Sequence, residues 1–388
     1  MSELLNSRWV ETKEALLEGL QGTKKSVMGV TLENTRKYLM ESPTAGATSA
    51  GNVATLNRVI LPVIRRVMPT VIANELLGVQ PMTGPVGQIH TLRVRYADNA
   101  TGTVNVAAGE EALSPFKIAE NYSGNTGTGK ATSTASLEGQ AGNRLSIQIL
   151  KQTVEAKTRK LSARWTFEAA QDAQAQQGID IEAEVMAALA QEITAEIDQE
   201  ILASLLSLSG TAIEQFDQSQ VSGTATFVGD EHAALAVQIN RVANLIAQRT
   251  RRGAGNWAVV SPFALTILQS ATTSAFARTT EGTFEAPTNT KFVGTLNNAM
   301  KVYVNTYAAD TTDILIGYKG ASESDAAAFY CPYIPLMSSG VVLDPTTFEP
   351  VVSFMTRYGY VELSNTASSL GNAADYLGRV SIANVSFK

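Results

Sequence analysis

Residues Asp180–Ser209, DIEAEVMAALAQEITAEIDQEILASLLSLS, decide the fold. Ile181, Val185, Leu189, Ile193, Ile197, Ile201 and Leu205 recur every four residues, and Met186, Leu202 and Leu206 widen the stripe. That spacing predicts one long helix. Each four-residue step overshoots a full turn by about 40°, so the apolar stripe winds and more than one partner surface has to cover it. Asp180 is placed to cap the start, Glu182 and Glu184 lie where the helix dipole favours negative charge, and Gly210 supplies the stop. At 1.5 Å per residue the helix is about 42 Å long. It carries Asp180, Glu182, Glu184, Glu192, Glu196, Asp198 and Glu200, and no Lys or Arg occurs from Trp165 through Asn240. Such a helix is a beam, not a reaction centre.

Immediately upstream, Leu145–Phe167 alternates like a strand and is strongly basic through Arg144, Lys151, Lys157, Arg159, Lys160 and Arg164. A basic block followed by an acidic helix reads three ways: contact within the subunit, contact between neighbours, or a solvated face. Ala97–Asn143 collapses to Gly, Ser, Thr, Ala and Asn, a composition that predicts no packed core and suits a long hairpin with a mobile tip. Gln88–Tyr96 is the matching strand, and Gly78–Gly87 is a run of turns. Val53–Leu77 reads as a helix kinked at Pro62 and Pro69 and made basic by Arg58, Arg65 and Arg66. Before it lie the small-residue linker Ser42–Gly51 and a charge-rich helical stretch, 1–41.

Downstream, Asp230–Gln248 has the period of a second amphipathic helix. Arg249, Arg251 and Arg252 follow it before Gly253, either as C-terminal helix charge or as a contact patch. Ser261–Ser270 opens another helix with Pro262 in its first turn. Strands are predicted at Trp257–Val260, Met300–Tyr307, Ile314–Tyr318, Ala327–Cys331, Pro350–Tyr358 and Arg379–Phe387. Helices mixed with largely non-sequential strands give the α+β class.

The 388 residues suffice for two or three domains, and a charged content of only 17% suits a chain that covers surface with copies of itself. A net charge of −6 argues against a nucleic-acid or anionic-membrane binder. The single cysteine, Cys331, allows no internal disulfide framework, and no apolar run reaches the length of a membrane span. The amphipathic N-terminus lacks the apolar core of a signal peptide, which predicts synthesis in the cytoplasm.

Catalytic constellations are absent from this pattern. Gly124–Lys130, GNTGTGK, matches the phosphate-loop spacing, but Ala131 stands where the magnesium-binding hydroxyl belongs and low-complexity sequence flanks both sides. His90, His232 and Cys331 cannot furnish a zinc set or a triad in these contexts, so no catalytic, cofactor or metal residue is expected. Cys331, within FYCPY, reads as an inert core thiol.

Six blocks together resemble the major capsid proteins of T-even-type contractile-tailed phages, members of the Hong Kong 97-type capsid family. They are RVILPVIRRVMPTVIANELLGVQPM at Arg58–Met82 with its continuation GPVGQIHTLRVRY at Gly84–Tyr96, TAEIDQEIL at Thr194–Leu202, TRRGAGNWAVVSP at Thr250–Pro262, GYKGA at Gly317–Ala321, and FEPVVSFMTRYG at Phe348–Gly359. The resemblance runs from about residue 53 to the C-terminus, apart from the low-complexity stretch. It implies a propeptide-like segment 1–41, an N-terminal arm 42–87, and an extended loop 88–165 with its tip at 97–143, shorter than the folded insertion of long family members. It further implies a peripheral domain, 166–210 and 346–388, built on the long helix, and an axial domain 211–345.

Function follows from the resemblance: a structural subunit that self-assembles into hexamers, and pentamers where curvature requires them, of a head enclosing double-stranded DNA. A pentameric vertex paralogue and a nanocompartment shell of the same fold are the alternatives. The implied partners are copies of itself, with vertex, portal, scaffold, protease and decoration proteins, in a virion made in the bacterial cytoplasm. Family head proteins are trimmed after Leu/Ile-x-Glu, and Leu39-Met40-Glu41 followed by Ser42 fits that pattern at the compositional boundary. Leu16-Leu17-Glu18 fits it as well. The basic sets Arg58, Arg65, Arg66 and Lys151 to Arg164 are expected to meet acidic surface such as Glu192, Glu196 and Glu200 on a neighbour.

Overall fold

The long helix spans Ile181–Leu208, with the Asp180 carboxylate accepting from Glu182 N at 3.1 Å and Gly210 leaving the helix at φ +72°. The computed structural model describes residues 9–10, 13–17, 20, 22–41, 71–102, 105–110, 112, 122–124, 130–139, 142–177, 180–221, 228–250, 252–271, 276–278, 290–297, 299–309, 313–322, 325–363 and 373–385. The helices are α1 Gly22–Glu41, α2 Ala73–Leu76, α3 Thr134–Leu137, α4 Phe167–Gln177, α5 Ile181–Leu208, α6 Val228–Thr250 and α7 Pro262–Ser270. The strands are β1 Gly78–Val79, β2 Val86–Tyr96, β3 Leu145–Glu155, β4 Lys157–Arg164, β5 Glu214–Asp217, β6 Trp257–Val260 and β7 Phe276–Arg278. They continue as β8 Thr290–Leu296, β9 Met300–Asn305, β10 Ile314–Gly317, β11 Ala328–Ser338, β12 Val342–Leu343, β13 Pro350–Glu362 and β14 Leu377–Ala383.

Three sheets result. A five-stranded sheet runs β1-β11-β13-β12 with β4 paired to β13, a seven-stranded sheet runs β5-β14-β10-β6-β9-β8-β7, and β2 and β3 form a separate two-stranded ribbon. The class is α+β. The winding stripe of α5 has two surfaces to meet, as its period requires. Ile193, Ile197, Ile201 and Leu205 are buried with Tyr330, Phe354 and Val352 of the five-stranded sheet, and Trp257, Tyr303 and Leu315 of the seven-stranded sheet join the same cluster. Gln199 and Asn305 exchange amide hydrogen bonds at 2.9 and 3.1 Å across that second junction. A second core forms where α6 and α7 cover the seven-stranded sheet through Leu235, Ile239, Val242, Ile246 and Ile267.

Four expectations need correction. The last strand joins the other sheet: β14 pairs in parallel with β5 and antiparallel with β10, and Val380 lies in the second core, while Leu377 at its start packs in the core of the long helix. The segment 346–388 therefore divides, Pro350–Glu362 with one sheet and Leu377–Ala383 with the other. The low-complexity stretch does hold a small core, because Tyr96, Ala100, Val106, Ala112 and Tyr122 bury one another and Tyr96 and Tyr122 pack at 4.5 Å. Two tyrosines supply what the surrounding small residues lack. Phe167 begins α4 and does not extend the strand. Strand β9 stops at Asn305, whose side chain accepts from Tyr307 N and turns the chain. The kinked helix expected over Val53–Leu77 lies outside the described residues except for 71–77, where only Ala73–Leu76 is helical.

One group inside this core sets a pH dependence. Asp198 is fully buried on α5; one carboxylate oxygen accepts from Ile72 N at 2.9 Å and the other has no hydrogen-bond partner among the described residues. Removal from water pushes its carboxyl up from 3.8 to about 7. The folded chain then holds a proton that the unfolded chain releases, so this contribution to stability is complete below about pH 4 and is lost as pH rises through about 7. Asp198→Asn is expected to remove that dependence and to exceed the wild type in stability at pH 8 by about 1–3 kcal/mol. Denaturant melts at pH 5 and pH 8 check it; parallel behaviour of the two proteins would contradict it.

Candidate assembly surfaces

Strand β4 alternates, and that alternation selects which basic residue reaches the long helix. Arg159, Leu161 and Ala163 are half-buried while Lys160, Ser162 and Arg164 are exposed. Arg159 Nη1 meets Glu196 at 2.7 Å, Nη2 meets Glu200 at 2.5 Å, and Nε donates to Tyr358 at 2.7 Å. Tyr358 in turn donates to Glu200. Burial alone would raise the Glu200 carboxyl, but hydrogen bonds from Tyr358 and Arg159 outweigh it and hold the group below its ordinary value of 4.5. Burial and the Glu200 contact push the Tyr358 hydroxyl up to about 12. Of the expected basic–acidic pairing, Arg159 meets Glu196 and Glu200 inside one chain.

The other residues singled out from the sequence fall in several places. Lys151, Lys157, Lys160 and Glu192 are exposed. Lys151 and Lys157 line an open groove of about 670 Å³ at the root of the ribbon, together with Glu200, Tyr358 and Glu362. Arg164 stands 3.8 Å from Glu349 of its own chain. Arg249 occupies the last turn of α6, as a helix C-terminal charge does, and Arg252 pairs with Asp325 at 2.6 Å. Glu41 is the last residue of α1. Ser42, Arg58, Arg65, Arg66 and Arg251 lie outside the described residues.

Two surfaces went unread in the sequence. In the ribbon, Tyr96↔Leu145 and Val94↔Ile147 are directly opposed, and opposed residues share a face. Leu145, Ile147 and Ile149 are 54%, 68% and 66% exposed, a continuous apolar strip, while Ser146 and Gln148 occupy the other face. The period-two signal is present at Leu145, Ile147 and Ile149, between the basic residues Arg144 and Lys151. A second apolar patch joins Val341, Val342 and Leu343 to Phe348 and Phe167, whose rings lie 5.9 Å apart. Leu145 and Arg164 terminate one run of two strands, and Arg164 pairs with Val351 beside β12. Roughly 60 Å of extended chain separates the two patches.

Chemistry is sparse elsewhere. Residues 125–129 of the phosphate-loop match lie outside the described residues, and among those described nearby the helix that follows, α3, is one exposed turn. His90 sits in the ribbon opposite Lys151, and buried His232 has Nδ1 at 2.5 Å from Ser270 Oγ. Burial pushes the Cys331 thiol up to about 11, so it is no nucleophile at neutral pH. Among the described residues no group of three or more His, Cys, Asp or Glu is placed to hold a metal, and no helix is long and apolar enough to cross a membrane.

Known proteins are similar to this chain in sequence. The family described as Major capsid protein Gp23 matches residues 53–382. The major capsid protein of Vibrio phage KVP40 is 30% identical, over 85% of this chain and 81% of its own. That of Enterobacteria phage T4 is 30% identical over 81% and 76%, and that of Salmonella phage ViI is 30% identical over 92% and 90%. Among solved structures, the capsid of Myoviridae phage XM1 aligns over 81% of this chain and 92% of that one, at 11% identity and a TM-score of 0.45.

Arg159→Met is expected to destabilise the fold by about 1 kcal/mol, a figure reduced by solvent because both acids are partly exposed. Because Glu200 is held below its ordinary value, the cluster contributes above pH 4.5 and is lost as pH falls further. The stability gap between wild type and variant should therefore close in acid, as read by melts from pH 7 to pH 3.

Proposed function

The chain belongs to the Gp23 major capsid protein family, and on that premise we propose that copies of it close a phage head as hexamers, with pentamers at points of curvature. The observation that carries this reading is the uncovered apolar face of the ribbon. Three large aliphatic side chains held in water cost several kcal/mol relative to burial, and a stiff ribbon rooted in a rigid body presents them to a neighbour. A contact between unlike surfaces of identical chains is heterologous and closes rings when its rotation divides a full turn. Six-fold and five-fold rings are then two settings of one contact.

In this reading the fold is the Hong Kong 97-type. The arm takes residues 42–87, and the ribbon with its tip is the extended loop, residues 88–165. The peripheral domain takes 166–210 with Pro350–Glu362, and the axial domain takes 211–345 with Leu377–Ala383. Lys151, Lys157, Lys160, Glu192 and the arginines at 58, 65, 66, 249 and 251 are assigned to intersubunit contacts. The chain acts as virion structure and not as a catalyst; it is made in the host cytoplasm and meets scaffold, portal, vertex, protease and decoration proteins. It encloses double-stranded DNA without reading its sequence. A net charge of −6 suits a wall from which packaged DNA has to slide.

Two outcomes test the proposal. Ile147→Asp combined with Ile149→Asp is expected to leave the monomer's melting unchanged, because both side chains are exposed, and to abolish assembly in light scattering and sedimentation. Assembly at the wild-type rate would contradict it. Cleavage after Glu41 is expected to give mature particles beginning at Ser42, and Glu41→Ala should retain residues 1–41. Mature particles that keep Met1 or Ser2 would remove the propeptide reading.

A further inference from the structure

The N-terminal helix is not an appendage. On α1, Val27, Met28, Thr31 and Leu32 are all buried, and the apolar ones join Leu16 in the core that also contains the stripe of α5. Lys24 is paired with Glu75 at 2.5 Å, and on the outer face Glu33 receives Trp9 Nε1 and Lys13 Nζ, both at 3.3 Å. Two polar side chains among the described residues of α1 are aimed inward: Thr31, whose Oγ1 donates to Met28 O of its own helix, and Asn34, which reaches beyond it. Asn34, 6% exposed, donates through Nδ2 to Met82 O at 2.6 Å and to Tyr333 O at 3.2 Å.

Met82 lies where the ribbon leaves the body. Its backbone N donates to Pro332 O at 3.0 Å, and its side chain is buried with Val154 of β3, Phe329 and Cys331 of β11, and Ile89 of β2 packed against them. The site is close-packed to the point of needing glycine. A Cβ on Gly359 would lie 2.5 Å from Val154 and 3.4 Å from Met82 Sδ, and one on Gly87 would lie 3.1 Å from Val154. Beyond this point the ribbon's apolar strip is exposed along its length. A small movement of Met82 is therefore levered along eleven residues of strand, roughly 35 Å at 3.3 Å per residue.

We infer that α1 is a brace on the ribbon. Through Asn34 it clamps the backbone of Met82 to that of Tyr333, fixing the fulcrum of β2 and β3, and loss of that clamp lets the ribbon take a new angle. A buried amide that satisfies two carbonyls at once leaves both unpaired when it goes, which loosens the joint and does not merely weaken the helix. The inference stands on these contacts and does not depend on where, or whether, the chain is cut. It does give the end of α1 at Glu41 a mechanical consequence.

The test measures ribbon angle in the full chain. Spin labels on Ser146→Cys at the ribbon tip and Glu192→Cys on α5, both at exposed positions, report the distance between them by pulsed electron resonance. The labelled chain is diluted in excess unlabelled chain so that only intrachain pairs are read, and buried Cys331 stays unlabelled. Asn34→Leu is expected to widen the distance distribution and shift its centre. Glu33→Gln, which weakens the contacts to Trp9 and Lys13 and leaves Asn34 in place, is expected to leave it unchanged. If Asn34→Leu does not fold, Asn34→Ser, which keeps a hydroxyl but loses reach, is read in its place. Distributions identical to the wild type in the Asn34 variant overturn the inference, as does equal broadening in Glu33→Gln.

Discussion

A helical stripe that winds cannot be buried by one flat partner, and this constraint on α5 organises the rest of the chain. Its apolar residues advance about 40° per step, so the face that meets the five-stranded sheet through Ile197 and Ile201 differs from the face that meets the seven-stranded sheet near Gln199 and Asn305. Two sheets that share no strand are thereby joined to one rigid element. The β14 strand, added to the seven-stranded sheet after β13 has completed the five-stranded one, ties the same two units a second time. Rigidity in the body is what allows a two-stranded ribbon, marginal by itself, to project a defined face.

Charge is used sparingly and locally. The acidic face of α5 is met by one arginine of its own chain, chosen by the alternation of β4, and that contact satisfies Tyr358 as well. Opposite signs of pH dependence coexist within three residues of α5. Glu200, hydrogen-bonded and half in water, favours folding when ionised, while Asp198, fully buried on the same helix, favours folding when protonated.

Much of the fold was legible because its signals are periodic. The bounds of α5, its Asp180 cap and its Gly210 stop follow from spacing and local chemistry, as do α6, β6 and the Ser261–Pro262 start of α7, where Ser261 Oγ accepts from Ala264 N. What was not legible depends on tertiary placement. Nothing local to Leu377–Ala383 distinguishes one sheet from the other. The Tyr96–Tyr122 contact joins residues far apart in a stretch whose average composition predicts no core. The docking of α1 rests on Asn34 finding two carbonyls distant in sequence, and polar residues on a charged helix carry no signal of that kind. The ribbon's strip was visible as alternation, yet only exposure in the fold distinguishes an unpartnered face from a buried one.

The central claim is that the strip Leu145, Ile147 and Ile149 is an interface waiting for a second copy. Electron cryomicroscopy of the purified chain, expressed alone and with its protease, tests it most directly. The account predicts closed shells, tubes or hexameric sheets in which that strip is buried against a neighbouring chain. Assemblies that leave Ile147 and Ile149 facing solvent, or a monomer under every condition, would contradict it.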